Sequence, residues 1–287
     1  MKRREVLERV RRAVPDAYTA GEARAIAFEV AECFCGFSRV EAVADPGAEA
    51  VADEGVLEEA CRRIAAHVPL QYVTGRTEFY GLPFRVGEGV LIPRPETEEL
   101  VQWIAVDCAG IAGVRLLDIG TGSGAIAVAL FRLLVAPTVD AADISPDALV
   151  FAAENAAVNG ATVHFVQADA TAPYDTFAGL LPRHRYDVVV SNPPYIPRSE
   201  YASMRDNVRL YEPAGALFVE DADPLLFYRE IGHKAARLLD AGGRLFFEVH
   251  EDYACGVCTL LSGQGFVGVE CRCDMNGKPR MVRCVKE

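Results

Sequence analysis

Val114-Arg115-Leu116-Leu117-Asp118-Ile119-Gly120-Thr121-Gly122-Ser123-Gly124-Ala125 is the stretch whose reading decides the fold. Val114 to Asp118 predicts a buried strand, and the apolar run Ile126 to Val135 predicts a helix. A strand that enters a glycine loop and leaves as a helix makes a nucleotide-type site. The glycines let the backbone approach a ligand, and the first N–H groups of the helix are free to bind it. Gly120, Gly122 and Ala125 also satisfy a dinucleotide fingerprint with Ala in third place. Two features favour S-adenosylmethionine: Asp118 could meet an ammonium group, directly or through water, and the loop keeps Gly124.

Downstream the pattern repeats. Thr138 to Asp143 reads as a second strand, with Asp143 about twenty residues past the loop and placed to accept both ribose hydroxyls. Ser145-Pro146 caps a helix to Val158, and Thr162 to Gln167 is a third strand. Asp169 follows where an adenine amino group would be read; a plain turn residue is the competing account. Tyr186 to Ser191 is a fourth strand, halted by Asn192-Pro193-Pro194-Tyr195, since the prolines lack an N–H and force their predecessors extended.

A polar Asn, exposed carbonyls and an aromatic ring thus stand at a strand's carboxyl end, where open α/β sheets bind ligands. The chemistry that suits them is methylation of a planar NH2 group, whose lone pair is delocalised and poorly nucleophilic. The oxygens of Asn192 and Pro193 could accept its two hydrogens while the ring of Tyr195 lies on the substrate plane. Catalysis would be positioning and desolvation. An ordinary strand-ending turn competes with this reading.

Ser199 to Pro213 is a polar segment that could flank the substrate entrance. A helix from Pro224 to Leu239, a strand from Gly243 to Val249 and a helix from Asp252 to Leu261 follow. Gly265 to Cys271 and Met281 to Val285 would pair as a hairpin through Asn276-Gly277. The expected fold class is α/β, a doubly wound Rossmann-like sheet with a late antiparallel strand.

Upstream, residues 1–74 read as a small N-terminal helical domain. Val6, Leu7, Val10 and Val14 form a stripe ended by Pro15; Thr19 caps a helix to Phe34; a further helix runs from about Gly47 to Ala66. Residues 75–93 suggest a β-hairpin linker, with strands at Thr77 to Tyr80 and Leu82 to Val86, and 94–287 the sheet domain. In Ile92-Pro93-Arg94-Pro95-Glu96-Thr97, Arg94 and Thr97 could contact a ligand's carboxylate; a capped helix start explains them equally well.

With 287 residues, 51% hydrophobic and 24% charged, the composition is that of a folded globular protein. Met1-Lys2-Arg3-Arg4 leads into Glu5, so no apolar signal segment opens the chain and a cytoplasmic location is expected. Nine cysteines favour reduced thiols. Cys255 and Cys258 fall in a helix and Cys271 and Cys273 along a strand, which argues against zinc, so no metal is expected. A net charge of −12 argues against a nucleic-acid substrate, which calls for a basic working face.

With Asp118 to Gly124 and Asn192 to Tyr195 in place, the chain resembles the release-factor glutamine methyltransferases of the HemK/PrmC type. Pro69-Leu70-Gln71-Tyr72-Val73-Thr74-Gly75, Glu78-Phe79-Tyr80-Gly81-Leu82 and Ile92 to Glu98 look like that family's linker signatures. The resemblance implies methyl transfer from S-adenosylmethionine to the glutamine amide in the Gly-Gly-Gln loop of peptide chain release factors. It implies cofactor contacts from Gly120, Thr121, Gly122, Ser123, Gly124, Asp143 and Asn192, and a glutamine held by Asn192, Pro193, Pro194 and Tyr195. Some members carry an aromatic residue after the third strand's Asp, where this chain has Ala170. Asn-Pro-Pro-Tyr is shared with adenine amino-methyltransferases, which is the alternative; these would need a basic face and a base-flipping pocket. A dehydrogenase leaves Asn192 to Tyr195 without a task, and a non-catalytic scaffold would be expected to have lost Asn192 or Tyr195.

Overall fold

The first helices start where side chains take up free backbone N–H groups. Thr19 Oγ1 accepts from the Glu22 N–H at 3.2 Å while the Glu22 carboxylate accepts from the Thr19 N–H at 2.8 Å; Ser38 and Glu41 repeat this exchange at 3.3 and 2.8 Å. The computed structural model describes residues 1–287. They divide into two compact units, residues 1–76 with 205–211, and residues 77–204 with 212–287.

The first unit holds α1 (Arg3–Ala13), α2 (Ala20–Cys35), α3 (Arg39–Ala44), α4 (Glu54–Ala65) and α5 (Leu70–Thr74). Val6, Val10, Val30 and Leu57 are sealed in its core. The single helix expected from Gly47 to Ala66 is corrected: α4 begins at Glu54. Asp53 Oδ1 accepts from the N–H groups of Gly55 and Val56 at 2.9 and 3.1 Å, which sets the start there. Residues 205–211 belong to this unit, with the Tyr211 hydroxyl donating to the Ala66 carbonyl and Arg205 3.7 Å from Glu22.

The second unit opens on a hairpin of β1 (Arg76–Phe79) and β2 (Leu82–Arg85). Tyr80 and Gly81 turn it with φ of 53° and 71°. The chain continues as α6 (Pro95–Asp107), β3 (Arg115–Ile119), α7 (Ala125–Leu133), β4 (Thr138–Asp143), α8 (Pro146–Val158), β5 (Val163–Gln167), α9 (Tyr174–Leu180) and β6 (Tyr186–Ser191). Past β6, the two-residue strands β7 (Ile196–Pro197) and β8 (Phe218–Val219) pair in parallel. Between them lie a 3-10 turn at Arg198–Ser203 and the short helices α10 (Asp206–Arg209) and α11 (Ala214–Leu217). The chain ends with α12 (Leu226–Leu238), β9 (Leu239–Glu248), α13 (Ala254–Gly263), β10 (Phe266–Cys273) and β11 (Pro279–Lys286).

Seven strands form one sheet in the order β10-β11-β9-β6-β3-β4-β5, with β11 antiparallel to both neighbours. This is the expected doubly wound sheet. Its central strands are continuous apolar runs because both faces are covered; Leu116, Leu117, Val188, Val189, Leu245 and Phe246 are fully buried. Chain order reverses between β3 and β6, which pair in parallel with Asp118 opposite Val190. Ligands of such sheets bind at this switch point, outside the strands' carboxyl ends.

Candidate active site

The loop after β3 and the loop after β6 leave adjacent strands side by side. Ser191 Oγ donates to the Ile119 carbonyl at 2.6 Å and ties the two exits together. Gly120, Gly122 and Gly124 all take positive φ, 76°, 55° and 80°, which a side chain would oppose. Gly124 has a further duty: a Cβ there would sit 3.2 Å from that of Ala152, so its absence lets α7 and α8 approach.

Asp118 lies fully buried beneath this loop. Its Oδ2 accepts from Thr121 Oγ1 at 2.6 Å, and its Oδ1 has no partner. Burial drives its pKa up to about 7, against the opposing Thr121 bond and with the charge of Asp143 adding to the rise. Asp143, at the end of β4, accepts from the N–H groups of Gly122 and Ser145 at 2.8 and 2.9 Å. Burial raises its pKa too, with those N–H bonds opposing.

A cavity of about 400 Å³ opens over these groups. Gly120, Thr121, Gly122, Ser123 and Asp143 line it on one side, Asp169 and Ala170 beyond β5, and Asn192, Pro193 and Pro194 beyond β6. Arg94 and Thr97 from the start of α6 complete the wall, with Phe227 and Ile231 of α12. Asp118, Gly124 and Tyr195 do not line it. The first two support the loop from below and behind. Tyr195 turns away from the cavity: its hydroxyl donates to Glu248 Oε1 at 3.0 Å and its ring stands edge-on to His250, centroids 6.1 Å apart. Burial, then the neighbouring Glu248, holds its phenol well above the usual tyrosine pKa.

Asn192 Nδ2 donates to Thr97 Oγ1 at 3.2 Å, and Thr97 Oγ1 donates to Glu248 Oε2 at 2.6 Å. Arg94 Nη2 pairs with Glu212 Oε1 at 2.6 Å, and Glu212 also accepts from the Ile92 N–H at 3.3 Å. The segment from Ile92 is thereby pinned at the cavity's edge, although burial raises the Glu212 pKa despite Arg94.

Residues 97–213 match a family model described as the methyltransferase small domain. The release factor glutamine methyltransferase of Flavobacterium psychrophilum is 41% identical over 218 residues, 75% of this chain and 74% of that one. The chain belongs to the release factor glutamine methyltransferases. Another such methyltransferase, from Bacteroides thetaiotaomicron, is 42% identical over 226 residues, 79% of each chain. In fold, the chain is similar to a T. thermophilus 16S ribosomal RNA methyltransferase solved with AdoMet and guanosine. That likeness has a TM-score of 0.52 at 17% identity, over 74% of this chain and 50% of that one.

Three side chains of this methyltransferase escaped the sequence reading. Asn155 of α8 is fully buried; its Oδ1 accepts from the Arg85 N–H at 2.6 Å, and its Nδ2 donates to the carbonyls of Arg85 and Ser123 at 3.0 and 2.9 Å. It fastens the hairpin to the glycine loop. Phe227 supplies an aromatic wall from an element remote in sequence. Glu248 is a lone carboxylate inside the apolar run Leu245-Phe246-Phe247-Glu248-Val249, and that oddity is the one signal a reader of the sequence could have followed.

Proposed function

We propose that this enzyme methylates the side-chain amide nitrogen of the glutamine in the Gly-Gly-Gln loop of peptide chain release factors, using S-adenosylmethionine. Membership of the family carries the substrate. The observation that carries the chemistry is Asn192, which lines the cavity with its Nδ2 anchored on Thr97. The adenine amino-methyltransferase reading is not favoured, because the relatives are named for a protein glutamine and the chain is acidic.

The residues present fit the cofactor. The unpartnered, fully buried Oδ1 of Asp118, beneath the loop, suits an ammonium group reached through water. Asp143 keeps free lone pairs for ribose hydroxyls; Asp169, with Oδ1 engaged by Thr171, keeps Oδ2 for an adenine amino group. Phe227 and Ile231 offer the apolar surface that Ala170 does not. When bound, S-adenosylmethionine supplies an electrophilic methyl group on a sulfonium sulfur.

The protein's part is to hold the acceptor. Asn192 Oδ1 takes one amide hydrogen of the glutamine and the Pro193 carbonyl the other, so the nitrogen lone pair points at the methyl group. Pro194 shapes the wall behind them and excludes water, while Tyr195, turned away, ties the loop to Glu248. After transfer the nitrogen carries a proton it readily gives to solvent, so no strong base is called for. Residues 1–74 recognise the release factor, 75–93 link, and 94–287, apart from residues 205–211 of the first unit, form the catalytic domain. The location is cytoplasmic, and no helix is long and apolar enough to cross a membrane.

Incubation with labelled S-adenosylmethionine and purified release factor, followed by peptide mapping, tests this reading. Label on the Gly-Gly-Gln glutamine is expected. Label confined to another residue, or to adenine of added RNA or DNA, would overturn it.

A further inference from the structure

Which end of the Asn192 amide meets the substrate depends on where the hydrogens lie between Asn192, Thr97 and Glu248. Thr97 owns one hydroxyl hydrogen. Its Oγ1 is 2.6 Å from Glu248 Oε2, the span of a hydroxyl bonded to a carboxylate. Glu248 takes a second hydroxyl, that of Tyr195, on Oε1 at 3.0 Å. Burial raises the Glu248 pKa, while the Thr97 and Tyr195 hydroxyls and the charge of Arg280 favour its ionised form. As a carboxylate it only accepts, so the hydrogen of Thr97 is committed to Glu248 and Thr97 can only accept from Asn192. Nδ2 must therefore face Thr97, as it does at 3.2 Å, and Oδ1 faces the other way.

We infer that Glu248 is a positioning residue for methyl transfer: through Thr97 it sets the Asn192 amide with its oxygen, not its NH2, toward the acceptor. This rests on the reading of Asn192 as the group that holds the glutamine. Reversed, the Asn192 NH2 would confront the NH2 of the incoming amide, donor against donor, and the acceptor would turn away. Glu248 and Thr97 are both buried, and they join three elements: the start of α6, the loop after β6 and the end of β9. Nothing in a cofactor site requires that connection. An acceptor whose two hydrogens must both be received does.

Thr97→Val keeps the shape and removes the hydroxyl; Thr97→Ser restores it; Glu248→Gln keeps the shape and lets the residue donate. In the full-length enzyme with intact release factor, Thr97→Val and Glu248→Gln should lower kcat about a hundredfold. The Kd for S-adenosylmethionine, by calorimetry, should stay within about threefold, and Thr97→Ser should recover most of kcat. The second readout needs no substrate. The Asn192 side-chain amide signals in 15N-labelled protein, assigned by their loss in Asn192→Ala, should shift and exchange faster in Thr97→Val and not in Thr97→Ser.

Wild-type kcat in Thr97→Val, or an equal fall in Thr97→Ser, overturns the inference. Should Glu248→Gln fail to fold, the two Thr97 variants decide alone. Should the wild-type enzyme leave release factor unmethylated, the substrate reading fails instead, and the amide signals alone decide the relay. If Thr97→Val leaves them unmoved, the relay is refuted.

Discussion

With Asp118 as the proposed partner of the cofactor's ammonium group, cofactor binding should be linked to proton release. In the cofactor-free protein burial, with the charge of Asp143 adding to it, raises the Asp118 pKa to about 7 against the hydrogen bonds of Thr121 and the Ala127 N–H. An ammonium needs the carboxylate ionised, so at pH 6, where Asp118 is mostly protonated, binding must first expel a proton. The apparent Kd should rise about tenfold per pH unit below 7, or about 1.36 kcal/mol per unit. Above about pH 8 the ligand's own α-amino group, ordinarily near 7.7–8.0, loses its proton and affinity falls again.

Titration calorimetry at pH 6 in two buffers of different ionisation enthalpy should report nearly one proton released per cofactor bound. Asp143 is raised by burial as well and would titrate in the same direction, so the control is Asp118→Asn. That variant should bind weakly and lose most of the proton release. A Kd that is flat from pH 6 to 7.5, with no proton exchanged, would refute the reasoning. The same shift has a consequence for stability. The native carboxyl holds its proton to about pH 7 while the unfolded one releases it near pH 4, so Asp118 makes the cofactor-free fold lose stability as pH rises through that window.

Three other outcomes are expected. Asn192→Ala should lower kcat by ~10²-fold or more while the Kd for S-adenosylmethionine stays within about threefold, as read from single-turnover rates and calorimetry. Asn155→Ala strands the Arg85 N–H and the Ser123 carbonyl and should cost about 2–3 kcal/mol in urea denaturation; a loss under about 0.5 kcal/mol would show the hairpin is held by other means. Gly124→Ala forces a side chain into φ of 80° against Ala152, so it should cost at least about 1–2 kcal/mol and weaken cofactor binding in the same calorimeter.

What the sequence made legible was local. The strand, glycine loop and helix around Gly120 are contiguous, and the prolines after Asn192 end a strand wherever the chain goes next. Once β3 and β6 are neighbours, those two loops must meet. The elements missed were short or were set by distant partners. Helix α3 has six residues, and α9, absent from the sequence reading, has seven; its Phe177 is fully buried, which seven residues of pattern do not announce. Glu248 and Asn155 act over separations of 151 and 70 residues, and no periodicity reports a bond of that reach. Tyr195 shows the limit from the other side. Its place beside Asn192 suggested a ring facing the substrate, whereas a buried carboxylate on β9 draws its hydroxyl the other way.

Residues 205–211 complete the first unit although they follow residue 76 only after a long excursion through the sheet. On a ribosome adding about 5–20 residues per second, roughly 7–27 s separate the emergence of Arg76 from that of Tyr211. During that interval the five helices lack the hydroxyl that caps the Ala66 carbonyl and the guanidinium beside Glu22. The earliest part of the chain to be made is thus among the last to be finished. A nascent chain stalled within the sheet would leave these helices an unfinished target for proteases and chaperones.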